Sequence, residues 1–243
     1  FGQLILGISG FEKFLMTGEL HLPVPAMIVA GPVYRAEIGF MTVLFLTTIV
    51  LSGPAWCSHF CYFGALDNLA AARGKRPRSF KLRNIFSITT LSSVVFGALF
   101  MRLIGTTAET AALVGGVFGI VGIGVILILS RKQRMMAHCT AYCPVGTIIN
   151  YLGRINPFRM YIDNNCTSCN LCARHCLYDA LKPEDIAAGR PGITCTLCGD
   201  CVTSCHTGSI KYKFLKMSPE ASRNLYLFIT VGIHAVFLAL AGI

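Results

Sequence analysis

Two runs of cysteine constrain this chain more than any other feature. CTSCNLCARHC, residues 166–176, and CTLCGDCVTSC, residues 195–205, share the spacing C-x2-C-x2-C-x3-C, and the second begins nineteen positions after the first ends. Eight thiols at such regular spacing call for metal or for disulfides, and the compartment decides between them. The remainder of the chain indicates that compartment. With 54% hydrophobic and only 13% charged residues over 243 positions, the composition is that of a bilayer protein rather than a soluble domain.

Four apolar stretches approach the ~20 residues needed to cross ~30 Å of hydrocarbon: 36–54, 84–103, 110–130 and 223–243. The opening stretch 1–17, which carries Glu12 and Lys13, reads as the tail of a truncated further span rather than a cleaved signal peptide. The expected fold is a mainly α-helical integral membrane protein with four or five transmembrane helices. A net charge of +10 would suit nucleic acid, but its placement argues for a membrane. Six of the 21 Lys and Arg lie in 56–83 and twelve in 131–223, leaving Lys13, Arg35 and Arg102 elsewhere. Basic loops at 73–83 and 131–134 are expected in the cytoplasm, with 18–34 and 104–109 outside. Residues 131–222 then form one large cytoplasmic loop of a multi-pass inner-membrane protein, and all twelve cysteines fall on the reducing side, which favours metal over disulfides. The small residues Gly115, Gly119 and Gly122 mark a face on which another helix can pack closely, or simply the glycine content of a membrane helix.

Zinc sites use four ligands, usually as two separated C-x2-C pairs. Three cysteines at x2-x2 spacing, followed by a fourth at x3, are similar instead to two-cluster bacterial ferredoxins, where the fourth cysteine ligates the other cluster. That resemblance implies one 4Fe-4S cluster on Cys166, Cys169, Cys172 and Cys205, and another on Cys176, Cys195, Cys198 and Cys201. The proline usual after each fourth cysteine is replaced by Leu177 and His206. The expected organisation is a transmembrane region over 1–160, a small two-cluster ferredoxin-like α+β insert over 161–216, and a C-terminal transmembrane helix over 217–243.

The remaining cysteines come in two pairs. CSHFCYFGALDN (57–68) follows the stretch 36–54 and CTAYCPVGTIIN (139–150) follows the stretch 110–130, so span, C-x3-C and apolar connector are duplicated. Residues i and i+4 share a helix face, so Cys57 with Cys61 and Cys139 with Cys143 offer two thiols each, and the pairs together offer a further metal or cluster site. Buried structural cysteines are the alternative. His59 and His138 stand within or beside the motifs as candidate extra ligands.

These paired motifs, with the ferredoxin runs, resemble the membrane-bound polyferredoxins of the NapH/NosR type, with CcoG/FixG proteins as relatives; the resemblance covers nearly the whole chain. Tyr62 stands where the family has proline after the second cysteine of the first motif. The resemblance implies a membrane-anchored iron–sulfur subunit that relays electrons between the membrane and a partner redox protein. The membrane terminus is quinone or the C-x3-C site, and the expected partners are other redox subunits and membrane lipid, with no nucleic acid. Two other readings stay open, a metal-handling cupric reductase and a structural anchor of a respiratory complex. His234, in the middle of FITVGIHAVFL, is a candidate quinone contact, since ionisable groups at membrane depth tend to be functional. No Walker motif, dinucleotide fingerprint or nucleophile–base constellation is visible, so no catalytic residue is assigned.

Overall fold

A computed structural model describes residues 24–38, 40–72, 77–78 and 82–240. The opening stretch 1–17 and most of the basic loop 73–83 lie outside these residues.

The described chain is mostly helical, with one small sheet. Helix α1 covers Met27–Arg35, α2 Phe40–Ser52, α3 Tyr62–Ala71, α4 Arg83–Leu103 and α5 Ala108–Gly124. The last of these continues through a π-helical stretch, Val125–Ser130, and a final turn, Arg131–Gln133. Among the described residues two helices are long and apolar enough to cross a bilayer, Arg83–Leu103 with 21 residues and Ala108–Gln133 with 26. Their surfaces are inside out. Phe96, Phe100, Leu103, Leu113 and Ile120 are between 62% and 75% exposed, an apolar band that a water-soluble domain would bury. A turn closed by the Thr107 side chain, which accepts from the Thr110 amide at 3.4 Å, joins the two helices.

The other expected spans differ. Among the described residues of the stretch 36–54, the helix is α2 with thirteen residues, about 20 Å at 1.5 Å per residue, less than the ~30 Å of a bilayer core. Its helix ends at Gly53, whose φ of +60° needs glycine, and Asn156 takes up the free end. The Asn156 amide donates to Val50 O at 2.7 Å while its carbonyl accepts from Phe158 N at 2.8 Å. Residues 24–34, expected in an external loop, instead build most of α1, which packs along α4 and meets α5 at Met27. A Cβ on Gly115 would meet Met27 Sδ at 2.6 Å and one on Gly119 would meet Val24 at 2.8 Å, so the glycine stripe is a packing face. Helix formation here satisfies backbone groups that an open loop against apolar spans would leave unpaired.

After α5 the chain forms α6, Pro144–Leu152, and then the sulfur-rich module. Strand β1, Arg159–Ile162, pairs antiparallel with β2, Ile210–Lys213, in the register Arg159↔Lys213 through Ile162↔Ile210. Between them lie three short helices: α7 Leu171–His175, α8 Pro183–Ala187 and α9 Asp200–Thr203. Met160, Ile162, Ile210 and Tyr212 alternate inward from the strands onto Leu181, Ile186 and Leu197. Helix α10, Pro219–Leu240, covers the last apolar stretch and starts on this module: Tyr226, fully buried, packs on Phe158 and Tyr212 with ring centroids 5.3 and 5.5 Å away. An ion pair of Arg83 with Asp179 at 3.0 Å fastens the module to the start of α4.

Candidate metal centres

Both C-x3-C motifs fold into the same unusual local structure. A π-helical turn, Trp56–Phe60 in the first copy and His138–Tyr142 in the second, holds the first cysteine. The second cysteine is extended, with φ/ψ of −87°/119° at Cys61 and −76°/120° at Cys143, and it starts α3 or α6. Its amide closes the turn, Cys61 N to Trp56 O at 2.9 Å and Cys143 N to His138 O at 2.8 Å. The expectation of two thiols on one helix face is therefore replaced by a wider turn and a helix start. π-Turns are rare and frequently lie at functional sites. Tyr62 takes the position of Pro144 without changing this geometry.

A glycine three residues past the second cysteine is required by contact. A Cβ on Gly64 would fall 2.2 Å from Cys57 O, and one on Gly146 would fall 2.2 Å from Cys139 O. This closeness turns the first amides of each helix toward sulfur, those of Phe63 and Gly64 to Cys61 and those of Val145 and Gly146 to Cys143. Amides at a helix start favour thiolate, the form that binds metal.

The two copies converge. Cys57, Cys139 and Cys143 are buried in one core, and Cys57 lies within electrostatic reach of Cys143, Cys61 and Asp67. Burial pushes the Cys143 thiol up to about 12, with Cys61 adding to the rise, and Cys57 and Cys139 are raised well above the usual range. Four thiolates gathered this way are unfavourable without a cation to neutralise them, so the donor set fits a metal or cluster.

Asp67 belongs to the same site, although its role was not apparent from the sequence. It is fully buried; its Oδ2 accepts from Cys139 N at 2.9 Å, and its Oδ1 has no hydrogen-bond partner. Burial raises its carboxyl to about 6. The signal available was one acid in the otherwise apolar face of CYFGALDNLA. His138 is also buried, stacks on Phe63 at 5.2 Å and leaves Nδ1 unpartnered. Among the described residues, Asp67, His138 and Cys139 form the one trio of metal-ligating side chains whose donor atoms lie within 4.8 Å of one another. His59 turns away, its Nδ1 at 2.7 Å from Ser58 Oγ and its ring against Tyr226. His234 stacks on Phe60 at 5.9 Å, one residue from Cys61, rather than standing apart in a span.

In the ferredoxin-like module two concavities each gather four thiols. One is lined by Cys166, Cys169, Cys172 and Cys205 together with Ile186 and Ile210. The other is lined by Cys176, Cys195, Cys198 and Cys201 together with Met160 and Tyr178. Each run thus contributes its fourth cysteine to the other run's site. The first site faces outward: Cys169 is exposed, as are Thr167, Ser168 and Asn170. Burial raises Cys205, but hydrogen bonds from Thr207 and from the amides of Ser209 and Ile210 outweigh it and bring the thiol below its ordinary value. The second site lies deeper. Burial pushes Cys195 and Cys198 each up to about 12, while the Ala180 amide donates to Cys176 Sγ at 3.3 Å.

Comparison with known proteins places the iron–sulfur signal on the C-x3-C segments as well. Residues 36–81 and 115–160 each match a 4Fe-4S binding domain family, and these segments are the two copies bearing the C-x3-C motifs. An uncharacterized protein of Methanocaldococcus jannaschii is 25% identical over 170 residues, 67% of this chain and 65% of that protein. YccM of Escherichia coli, a candidate electron transport protein, is 24% identical over 247 residues, 91% of this chain and 65% of its own length. The chain thus spans about 65% of the length of both curated relatives. No solved structure matches it. The family match and the twelve thiols support an iron–sulfur protein.

Proposed function

We propose that this chain is a membrane-anchored iron–sulfur electron carrier of the NapH/NosR type, with three four-thiol centres that relay electrons between a partner redox protein and the membrane. The observation that carries the reading is the distribution of thiols: an exposed site, a deeper site and a buried site at the ends of the apolar helices. In this reading 4Fe-4S clusters occupy the Cys166/Cys169/Cys172/Cys205 and Cys176/Cys195/Cys198/Cys201 sets, and a third cluster is held by Cys57, Cys61, Cys139 and Cys143. Such clusters supply one-electron storage when bound. The chain's own residues tune it through amide–sulfur hydrogen bonds, burial and nearby charge.

The match of both C-x3-C segments, 36–81 and 115–160, to a 4Fe-4S binding domain family supports clusters over zinc. The candidate electron-transport relative points the same way. The basic loops support a multi-pass inner-membrane protein with its thiols on the cytoplasmic side, and His234 beside Phe60 is the candidate quinone contact. A second reading, metal-ion handling as in a cupric reductase, is favoured by the mixed trio Asp67, His138 and Cys139.

Anaerobic purification with analysis for iron, sulfide, zinc and copper tests both. Three clusters require about twelve iron and twelve sulfide per chain. Zinc without sulfide overturns the proposal, and about eight iron with stoichiometric copper favours the second reading.

A further inference from the structure

Where Cys176 and Cys198 of the deeper site pack against the core of the C-x3-C thiols, Tyr178 touches both. Tyr178 is 4% exposed and lines the concavity of Cys176, Cys195, Cys198 and Cys201. It also belongs to the buried core that contains Cys57, Cys139 and Cys143, and its hydroxyl donates to Cys57 O at 3.3 Å. The strap that carries it is held from both sides. Thr194 Oγ1 donates to Tyr178 O at 2.7 Å from the ferredoxin-like module, and Met136 N donates to Leu177 O at 2.9 Å from the membrane half. A second seam runs alongside, Ser58 Oγ to Thr196 O at 3.2 Å. Cys172 in the first turn of α7 and Cys176 just past its end relate the exposed site at Cys166, Cys169, Cys172 and Cys205 to the deeper one.

We infer that Tyr178 is the positioning residue that joins the deeper ferredoxin site to the four-cysteine site, so that electrons pass in the order exposed site, deeper site, Tyr178 contact, C-x3-C thiols. This inference deepens the proposed function and rests on it. The step is a single-electron exchange: one electron leaves the deeper site, one arrives at the four-cysteine site, no bond is made or broken and no proton moves. Tyr178 is not itself oxidised. Its ring and hydroxyl keep close-packed atoms between the two thiol sets, where a smaller side chain would leave a gap lacking contacts.

The test uses the full chain in lipid nanodiscs, with reduced methyl viologen as donor and rapid-freeze EPR as readout. The signal lost in Cys57→Ser identifies the four-cysteine site. In Tyr178→Leu, iron content and reduction of both ferredoxin sites match wild type while the fast phase of four-cysteine reduction is lost. Tyr178→Phe keeps the ring and gives an intermediate rate, with the magnetic coupling between neighbouring signals unchanged, so that slowing is not caused by displacement. Tyr212→Phe is the control. It removes an equivalent bond at the same ferredoxin site, Tyr212 Oη to Leu197 O at 2.7 Å, but on the side of the sheet core, and keeps the wild-type rate. If Tyr178→Leu loses iron, the phenylalanine variant alone decides. Wild-type rates in the Tyr178 variants overturn the inference and leave the proposed function standing. A wild-type protein with no signal dependent on Cys57 overturns both.

Discussion

Asp67 and Ile149 occupy the same place in the two copies. Each lies six residues past the second cysteine of its motif, on the helix that the cysteine starts, and each is fully buried. In the first copy that place holds a carboxylate on the Cys139 amide; in the second it holds only hydrocarbon. The thiols repeat, while the groups beside them do not.

Asp67 is therefore expected to matter to the second copy's cysteine rather than to its own. Asp67→Ala leaves the buried Cys139 amide unpaired, at a cost of about 1–3 kcal/mol, whereas Asp67→Asn keeps an acceptor of the same size. Thermal unfolding in detergent should separate the two, with alanine lowering the midpoint and asparagine close to wild type. Equal midpoints for Asp67→Ala and wild type would show that the bond contributes nothing.

The same carboxyl predicts a pH dependence for the metal-free chain. Its folded value, raised to about 6 by burial, lies above the ordinary 3.8. The folded state therefore binds the proton more tightly than the unfolded state does. Stability from this group is present at pH values below the ordinary one and is lost as pH rises through 6. Denaturant titrations from pH 4 to 7 should show a decline that Asp67→Asn removes.

Glycine contact gives a paired test. Gly64→Ala and Gly146→Ala each force a Cβ onto a carbonyl oxygen, and overpacking of this kind costs about 1–3 kcal/mol. Both variants should lose the four-cysteine metal together, because each damages half of one site. Gly116→Ala, with nothing within 4 Å, should retain it. Full metal content in Gly64→Ala would mean that the first copy yields easily.

Crossed wiring in the ferredoxin-like module is tested by serine substitution. Cys205→Ser should damage the site of Cys166, Cys169 and Cys172, and Cys176→Ser that of Cys195, Cys198 and Cys201, as followed by EPR. Damage confined to each cysteine's own run would mean that the two concavities do not describe the loaded protein.

Topology and docking can be read from the outside. A membrane-impermeant thiol reagent on intact cells should miss all twelve cysteines, while a tag between Thr106 and Glu109 should be reachable. Partner docking at the exposed site should weaken with salt, since exposed charges are screened beyond about 10 Å at 0.1 M. Lys211 contributes less to that field than its neighbours Lys213 and Lys216, because Asp163 pairs with it at 2.7 Å.

Local pattern carried much of this architecture. The resemblance of the cysteine runs to two-cluster ferredoxins implied grouping Cys166 with Cys205 and Cys176 with Cys201, and hydropathy located the helices at 84–103 and 110–130. What it did not carry was long-range contact. The stretch 24–34 has no charge to mark it as exposed and no length to mark it as a span; its packing on α4, with Met27 against Gly115, shows only in the structure. The π-turns were hidden because C-x3-C suits an α-helix equally well until Gly64 and Gly146 press against the turn. Tyr178 looks like any tyrosine after a cysteine run, and its importance arises from Cys57, which is 121 residues away.

The matching turns also bear on how such a site is assembled. A chain holding one motif offers two thiols, so it completes a set of four only by meeting a second copy about a twofold axis, the commonest symmetry of homodimers. Joining both copies in one polypeptide lifts that symmetry requirement. Each half is then free to specialise, with Asp67 standing where the other copy has Ile149 and His138 standing where the other copy has Trp56. A symmetric pair would have to carry two buried carboxylates or none; the fused chain carries one, and its four-thiol site has a polar side and an apolar side.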